Sequence, residues 1–381
     1  MRFAVVAALA LLALPAFSQN FQFHGYLSAR EIYVKAQPSW TEGGFGRFDV
    51  GAQSVGDHRT TNLGVGQLGF DWTPAKWLLV HADGLARKEP SGTKGRRGGL
   101  LQAYLELHSD MFQFRAGSFW LPTSRENVDP LWTSPYTITY SALNTWIGNE
   151  FRPVGADLQF SPDFYVTAGA TIFRGNDTLG TELANRGFGL GSRLSVYGEN
   201  LPLPNGQTTR PIGSDLDHRN GYAERVRVQI PERALLQVTH IDNRAETAPQ
   251  IAGQTPWHTR FNIVGGTLGP TSPATISAEW AKGQTTVGFP GGTFTLDFNT
   301  VYILLSQKTG ASRWSVRAER FTTGDREKGK AYTVAWFRYP SPALRWGAEY
   351  THASGSRPSV PLGFDPNTGG TTIQVELRYG F

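Results

Sequence analysis

From Phe21 to Phe381, apolar and polar residues alternate in strand-length runs separated by very short turns on one side and longer polar stretches on the other. A period of two places successive side chains on opposite faces of a strand. Four hairpins carry the pattern best: "LGFDWTPAKWLLVHADG" turns at Thr73 to Lys76, "LLQAYLELHSDMFQFRAG" at Ser109 and Asp110, "VGADLQFSPDFYVTAGATIF" at Ser161 to Asp163, and "AYTVAWFRYPSPALRWGAEY" at Pro340 to Pro342. The runs predict strands near 21–34, 62–73, 76–87, 99–108, 111–119, 150–160, 164–174, 221–230, 234–243, 256–266, 273–283, 293–306, 312–321, 330–339, 343–353 and 370–381, sixteen in all. A seventeenth candidate, "GLGSRLSVYG" at 189–198, would put the short turn at Pro231 to Arg233 on the long-loop rim if it spanned, so parity assigns it to an outer loop over about 175–220. An even strand count with short turns on one rim is the signature of a transmembrane barrel. The expected fold is all-β: an antiparallel up-and-down barrel with short periplasmic turns and long extracellular loops.

The two faces differ in chemistry. Residues 101–107 set Leu101, Ala103, Leu105 and Leu107 against Gln102, Tyr104, Glu106 and His108, and residues 313–319 set Trp314, Val316 and Ala318 against Arg313, Ser315, Arg317 and Glu319. A soluble sandwich also alternates, with its apolar face inward. Against it stand the mid-strand charges of both signs on the polar face, which suit a watery lumen. Aromatics also gather near strand ends of the apolar face (Trp72, Trp77, Phe160, Trp280, Trp314, Trp346, Tyr379, Phe381), as in interfacial girdles. Lumen-facing basic residues are expected at Arg115, Arg225, Arg227, Arg260, Arg313, Arg317, Arg345 and Arg378, and acids at Glu106, Asp157, Glu279, Asp297, Glu319, Glu349 and Glu376. The final run "TTIQVELRYGF" ends on the beat of its alternation, which makes it the natural partner of the first strand and the closing seam of the wall.

The first eighteen residues, "MRFAVVAALALLALPAFS", have a basic start, an apolar centre and small residues at Ala16 and Ser18, the pattern of a cleaved export signal. The expected domains are therefore a signal peptide, 1–18, and one barrel, 19–381. There is no cysteine, so disulfides and thiolate metal sites are excluded. The net charge of +5 is mild and does not indicate nucleic-acid binding. Eight of the 36 basic residues are lysine and the rest are arginine, the better residue for holding a carboxylate or phosphate in a planar fork.

The whole mature chain resembles a bacterial outer-membrane porin. Its last strand, with Tyr379 and Phe381, resembles the terminal signal read by the outer-membrane assembly machinery. Within that class, "FQFRAGSFWLPTSRENVD" at 112–129 and "NEFRPVGADLQFSPDFYVTAGATIFRGND" at 149–177 resemble the phosphate-selective porin O and P group. With lysine scarce, no lysine cluster for phosphate carries over. The resemblance implies a homotrimer in the outer membrane and a third outer loop folded into the lumen.

That loop, about Trp120 to Asn149, is long enough to be functional. Its Trp120, Arg125, Glu126, Asp129, Trp132 and Tyr136 are the expected constriction, and Tyr140 and Trp146 add aromatic surface; the alternative is that the aromatics simply wedge the loop against the barrel wall. Around it the expected lumen charges are Glu106, Arg115, Arg225, Arg227, Arg260, Arg313, Arg317 and Glu319, with the group Arg225, Arg227 and Arg260 favouring anions. Other motifs fail on context. "GVGQLG" at 64–69 opens no helix, "DLDHRNG" at 215–221 has Arg219 at a calcium-ligand position, the eight histidines form no HExxH pair, and "GSFW" is no nucleophile elbow. His81 and His108 read as polar lumen residues. No cofactor, no metal and no catalytic residue is expected: the chain is read as a passive channel for small hydrophilic solutes with a weak preference for anions. The alternative is a barrel-embedded enzyme with its active site in the outer loops.

Overall fold

The computed structural model describes residues 20–206, 208–248, 250–251, 255–324, 327–358 and 363–381; the leader read at 1–18 lies outside them. Sixteen strands form one closed antiparallel barrel in which every strand pairs with its chain neighbours and the last pairs with the first. They are β1 (Phe21–Ala36), β2 (Arg59–Ala75), β3 (Leu78–Lys88), β4 (Gly98–His108), β5 (Phe112–Ser118), β6 (Val154–Phe160), β7 (Val166–Arg174), β8 (Gly221–Ile230), β9 (Ala234–Asp242), β10 (Trp257–Leu268), β11 (Ala274–Phe289), β12 (Gly292–Thr309), β13 (Ser312–Thr323), β14 (Glu327–Arg338), β15 (Leu344–Ser356) and β16 (Gly370–Gly380). Two short helices, α1 (Ala142–Glu150) and α2 (Thr181–Arg186), lie in the third and fourth outer loops. Among the described residues no helix is long and apolar enough to cross a membrane; the wall crosses with strands.

The seam runs from Tyr26 opposite Gly380 to Ala36 opposite Gly370. Phe381 extends it by two backbone hydrogen bonds with Gly25, 2.9 and 3.0 Å. A Cβ on Gly25 would lie 2.8 Å from the Phe381 ring and 2.6 Å from the Gln67 carbonyl, so glycine is what lets the terminal ring lie against β1. Among the described residues the sheet closes on itself, the condition for a sheet surrounded by lipid.

Around the middle of the wall the outward residues are apolar and about half exposed, among them Leu27, Leu105, Leu158, Val226, Leu236, Ile303, Val316, Val334, Val375 and Leu377. Inward residues are polar: Gln67, Asp83, Glu106, Asp157, Arg225, Glu279, Arg317, Glu349 and Glu376 are all buried in the lumen. This orientation excludes the soluble sandwich, whose apolar face would be packed inside.

The expected strands are all present. The turn placed at Thr73 to Lys76 is tighter, because β2 continues across an irregularity to pair Ala75 with Leu78. The stretch 189–198 holds no strand, and Leu190, Leu194 and Val196 are buried in the core. Not every outer connection is long: β11 and β12 continue to Phe289 and from Gly292, leaving a two-residue turn. A membrane-crossing strand needs about 9–11 residues, so β11, with 16, and β12, with 18, stand well proud of the bilayer.

Above the bilayer the pattern inverts. Phe173, Ala223, Ile241, Phe261, Ile263, Ala281, Phe298 and Phe321 point inward and share one hydrophobic core with loop residues Trp146, Leu183, Phe188 and Leu194, while Arg260, Lys282, Asp297, Asn299, Arg320 and Lys330 are exposed outside. Arg260 and Asp297, expected in the lumen, therefore face outward. The assumption that polar residues point inward holds where the outside is lipid; here the outside is water and the inside is filled by loops. Leu101 also departs from its expected lipid-facing row. A register shift between Asp83 and Gly84, opposite Gln102 and Leu100, turns it into the core, where it is fully buried.

Candidate functional site

The third loop enters the lumen after β5 and is held against β11–β16 by wall carboxylates that accept its backbone N–H groups. Glu349 accepts from Ile138 (2.5 Å) and Thr139 (2.9 Å), and Glu319 accepts from Ala142 at 2.7 Å. Within the loop, Glu126 accepts from Ser141 N (2.8 Å) and Asn144 Nδ2 (3.2 Å). Ser141 caps α1, its hydroxyl accepting from Asn144 N. Three carboxylates thus cluster at the positive end of the helix, where its free N–H groups need acceptors. Arg317 lies between them. It pairs with Glu126, contacts Glu319 at 3.0 Å, and donates to the carbonyls of Thr139 (2.6 Å) and Tyr140 (3.1 Å). None of the three side chains is more than 1 % exposed. Arg317, Glu319 and Glu126 are buried, partnered anchors of the loop, held by ion pairs and by backbone N–H groups, not free charges of the passage.

The other end of α1 is packed. Trp146 meets Phe261 and Phe298 with ring centroids 5.1 Å apart in each case, and lies edge-on to Phe188 at 6.2 Å. Arg152 follows the helix and has no carboxylate partner among the described residues. It stacks on Trp120 at 3.3 Å and donates to the carbonyls of Gly148 (3.1 Å) and Ser195 (2.5 Å), closing the helix C-terminus. Burial lowers its basicity to about 9. Glu150 joins the third loop to the fourth by accepting from Trp146 Nε1 (2.7 Å), Gly180 N (2.9 Å) and Glu182 N (2.8 Å). Burial and the neighbouring Glu182 charge push its carboxyl up to about 8.

Beside the third loop, open space lies at the rim of short turns next to β1, the β14–β15 turn, β15 and β16. A chamber of about 500 Å³ opens at the rim of short turns, lined by His24, Tyr26, Asp129, Leu131, Arg345 and Arg378 among others. Above it is a gap of about 20 Å³ lined by Tyr26, Asp49, Arg87, Glu89, Ser192 and Arg193. Tyr26 borders both. Its ring carries Arg378 at 3.6 Å, its hydroxyl donates to Gln67 Oε1 at 3.2 Å, and Gln67 Nε2 donates to the Leu131 carbonyl at 3.1 Å. Leu131 and Trp132 hold positive φ, +63° and +55°, conformations that cost a non-glycine residue about 1–3 kcal/mol each and recur at functional sites. Of the chain Arg378–Tyr26–Gln67–Leu131, Arg378, Tyr26 and Leu131 line the chamber and Tyr26 also borders the gap.

The expected constriction residues divide accordingly. Trp120 stacks on Trp132 at 4.2 Å, and both are buried. Arg125 is buried, reaching toward Pro122 O and Gln237 Oε1, both 3.4 Å. Tyr136 is buried beneath Arg313 at 5.2 Å. Only Asp129 reaches the chamber; burial raises its carboxyl, opposed by Arg345, Arg378 and Arg313. On the wall, Arg115 pairs with Glu106 (2.7 Å) and Arg225 with Asp157 (2.7 Å through each oxygen), while Arg227 donates to Thr167 at 3.2 Å and Arg313 to Ser306 at 2.9 Å. In the fourth loop, Arg219 lies against Asp217 and Glu246, and the carboxylates of Asp177, Asp215 and Asp217 come together within 4.8 Å. Tyr26, Gln67 and Leu131 were not expected. The usable signal was Tyr26, an aromatic in phase with His24, Ser28 and Arg30 on the polar face of β1.

No family model and no curated protein sequence matches this chain. Solved structures do. The outer-membrane channel DcaP of Acinetobacter baumannii superposes with a TM-score of 0.62 over 95 % of this chain and 97 % of its own at 10 % identity. The anion-selective porin of Comamonas acidovorans gives 0.58 at 12 % identity, over 95 % of this chain and 99 % of its own. The trimer form of OmpT, an outer membrane protein of Vibrio cholerae, gives 0.55 at 11 % identity, over 95 % and 99 %. The chain has a porin-like fold, a closed 16-stranded antiparallel barrel with a lipid-facing apolar belt, and this is the architecture of a bacterial outer-membrane protein.

Proposed function

We propose that the protein is a passive diffusion channel for small hydrophilic solutes, with its narrowing at Tyr26 and a weak preference for anions. The observation that carries this reading is a set of lumen and loop arginines without acids to match them, one of which, Arg378, lines the chamber beside the ion-paired Arg345. Among the described residues, Arg125, Arg227, Arg313 and Arg378 have no ion-pair partner, whereas Arg115 and Arg225 are matched by Glu106 and Asp157. Unmatched like charges in a low-dielectric wall focus the field and raise the local concentration of the opposite ion. Phosphate is one anion of this kind, consistent with the resemblance of residues 112–129 and 149–177 to the phosphate-selective group. The anion-selective porin and the trimeric OmpT among the structural neighbours support anion preference and a homotrimer as parts of the same proposal. The proposal also takes residues 1–18 as an export signal, and Tyr379 and Phe381 as the mark read by the assembly machinery.

The enzyme alternative finds no hydroxyl-nucleophile triad in its support. Among the described residues no histidine is shared between a carboxylate and a serine or threonine hydroxyl; His258 with Asp242 (2.8 Å) and His218 with Asp215 (3.3 Å) stand without a nucleophile.

The test is the reversal potential in a potassium chloride gradient across a planar bilayer, with phosphate added as a competing blocker. The wild type is expected on the anion side of zero, and R227S with R378S is expected to move it toward the cation side. A reversal potential unmoved by the double substitution would remove the arginine assignment.

A further inference from the structure

Three adjacent strands bring His24, Asp71 and His81 together on the lumen face. Asp71 lies directly opposite His81 between β2 and β3, and His24 lies opposite Gly69 between β1 and β2, one inward position from Asp71. His81 Nδ1 is 2.6 Å from one Asp71 oxygen and His24 Nδ1 is 3.5 Å from the other. All three ligand atoms lie within 4.8 Å of one another. We propose that His24, Asp71 and His81 form a binding site for a late first-row divalent metal ion of the zinc, copper or nickel class at the periplasmic mouth of the lumen.

Three further features favour a ligand site over a plain hydrogen-bonded cluster. First, the far nitrogen of His81, Nε2, faces Asp83 Oδ2 at 3.5 Å, and that oxygen accepts from Gln102 Nε2 at 2.9 Å. A ligating imidazole oriented from behind by a held carboxylate is the usual outer support of a metal site. Second, space is reserved for the His24 ring: a Cβ on Gly69 would lie 2.5 Å from His24 Nε2, so any other residue there would displace the ring. Third, His81 is buried and stacked on Tyr104 at 4.7 Å, while His24 lines the chamber of about 500 Å³, leaving an entry path and room for a water or solute on the ion. Two imidazoles with one carboxylate suit zinc, copper and nickel, not calcium or magnesium, which take oxygen ligands. Metal–ligand bonds of about 2.0–2.2 Å need only small movements of these three side chains.

The test is zinc binding to the refolded full chain after chelator treatment, followed by calorimetry and by X-ray absorption at the zinc edge. The expected result is one saturable ion per chain with imidazole scattering in its shell. His24→Ala and His81→Ala are expected each to abolish the saturable phase, and Asp83→Asn to weaken it by about 10–100-fold. Heat-modifiable gel mobility checks that each variant is folded. His24, at the chamber surface, is the substitution least exposed to misfolding, and the wild-type absorption spectrum needs no variant at all. A shell without imidazole, no saturable binding, or binding undiminished in folded His24→Ala would overturn the assignment. None of these outcomes bears on whether the lumen conducts.

Discussion

Removing residues 370–381 is expected to abolish the folded barrel. The deletion takes away β16 and with it both of its ladders, from Tyr26 opposite Gly380 to Ala36 opposite Gly370, and from Leu344 opposite Tyr379 to Ala353 opposite Gly370. Two long edges would then face lipid with unpaired N–H and C=O groups, each costing several kcal/mol. It also strands Arg30 and Arg345, which share Glu376 at 2.9 and 2.6 Å. The measurement is heat-modifiable mobility after refolding into detergent: the intact chain runs as a compact species that shifts on boiling, and the truncated chain shows no such species. A shift equal to that of the intact chain would mean that β1 and β15 close the wall without β16, contrary to the register.

Replacing Arg317 with alanine is expected to lower stability by about 3–5 kcal/mol, the usual cost of leaving buried charges without their partner. Glu126 and Glu319 would remain in the lumen at no more than 1 % exposure, and the carbonyls of Thr139 and Tyr140 would lose their donor. Because these contacts hold the third loop to the wall, the same substitution is expected to raise single-channel conductance as the loop leaves β13. Urea unfolding followed by tryptophan fluorescence gives the stability term. Pairing Arg317→Met with Glu126→Gln should recover part of it, since an uncharged pair leaves less charge unmatched. An unfolding midpoint unchanged by R317A would show that the loop is held by its apolar end alone.

These two results bear on the parts of the molecule that were differently legible in the sequence. The barrel could be read because lipid imposes one rule on every outward residue: Val316, Val334 and Val375 fall on one side while Arg317, Thr333 and Gln374 fall on the other. Parity then settled the stretch 189–198 without any local signal. The rule fails where lipid ends. Arg260 alternates with Phe261 and Ile263 as a lumen arginine would, yet Phe261 is inside because Trp146 from the third loop is there to receive it. That contact joins residues far apart in the chain, and no local period announces it. The third loop was placed inside the lumen, but the roles of its residues were not readable. Whether Glu126 faces solute or Arg317 depends on a pairing across 191 positions. Tyr26 and His24 escaped notice for a similar reason: each is unremarkable within β1 and gains meaning only from Arg378, Gln67, Asp71 and His81 on other strands.

Single-channel recording of the purified, folded protein in a planar bilayer tests most directly whether water passes through this enclosed wall beside the third loop. The expected record is discrete current steps whose size grows with salt concentration and falls when Tyr26 is replaced by tryptophan. A bilayer that stays silent while the same preparation shows full heat-modifiable folding would contradict it, and the barrel would then be a sealed wall filled by its own loops.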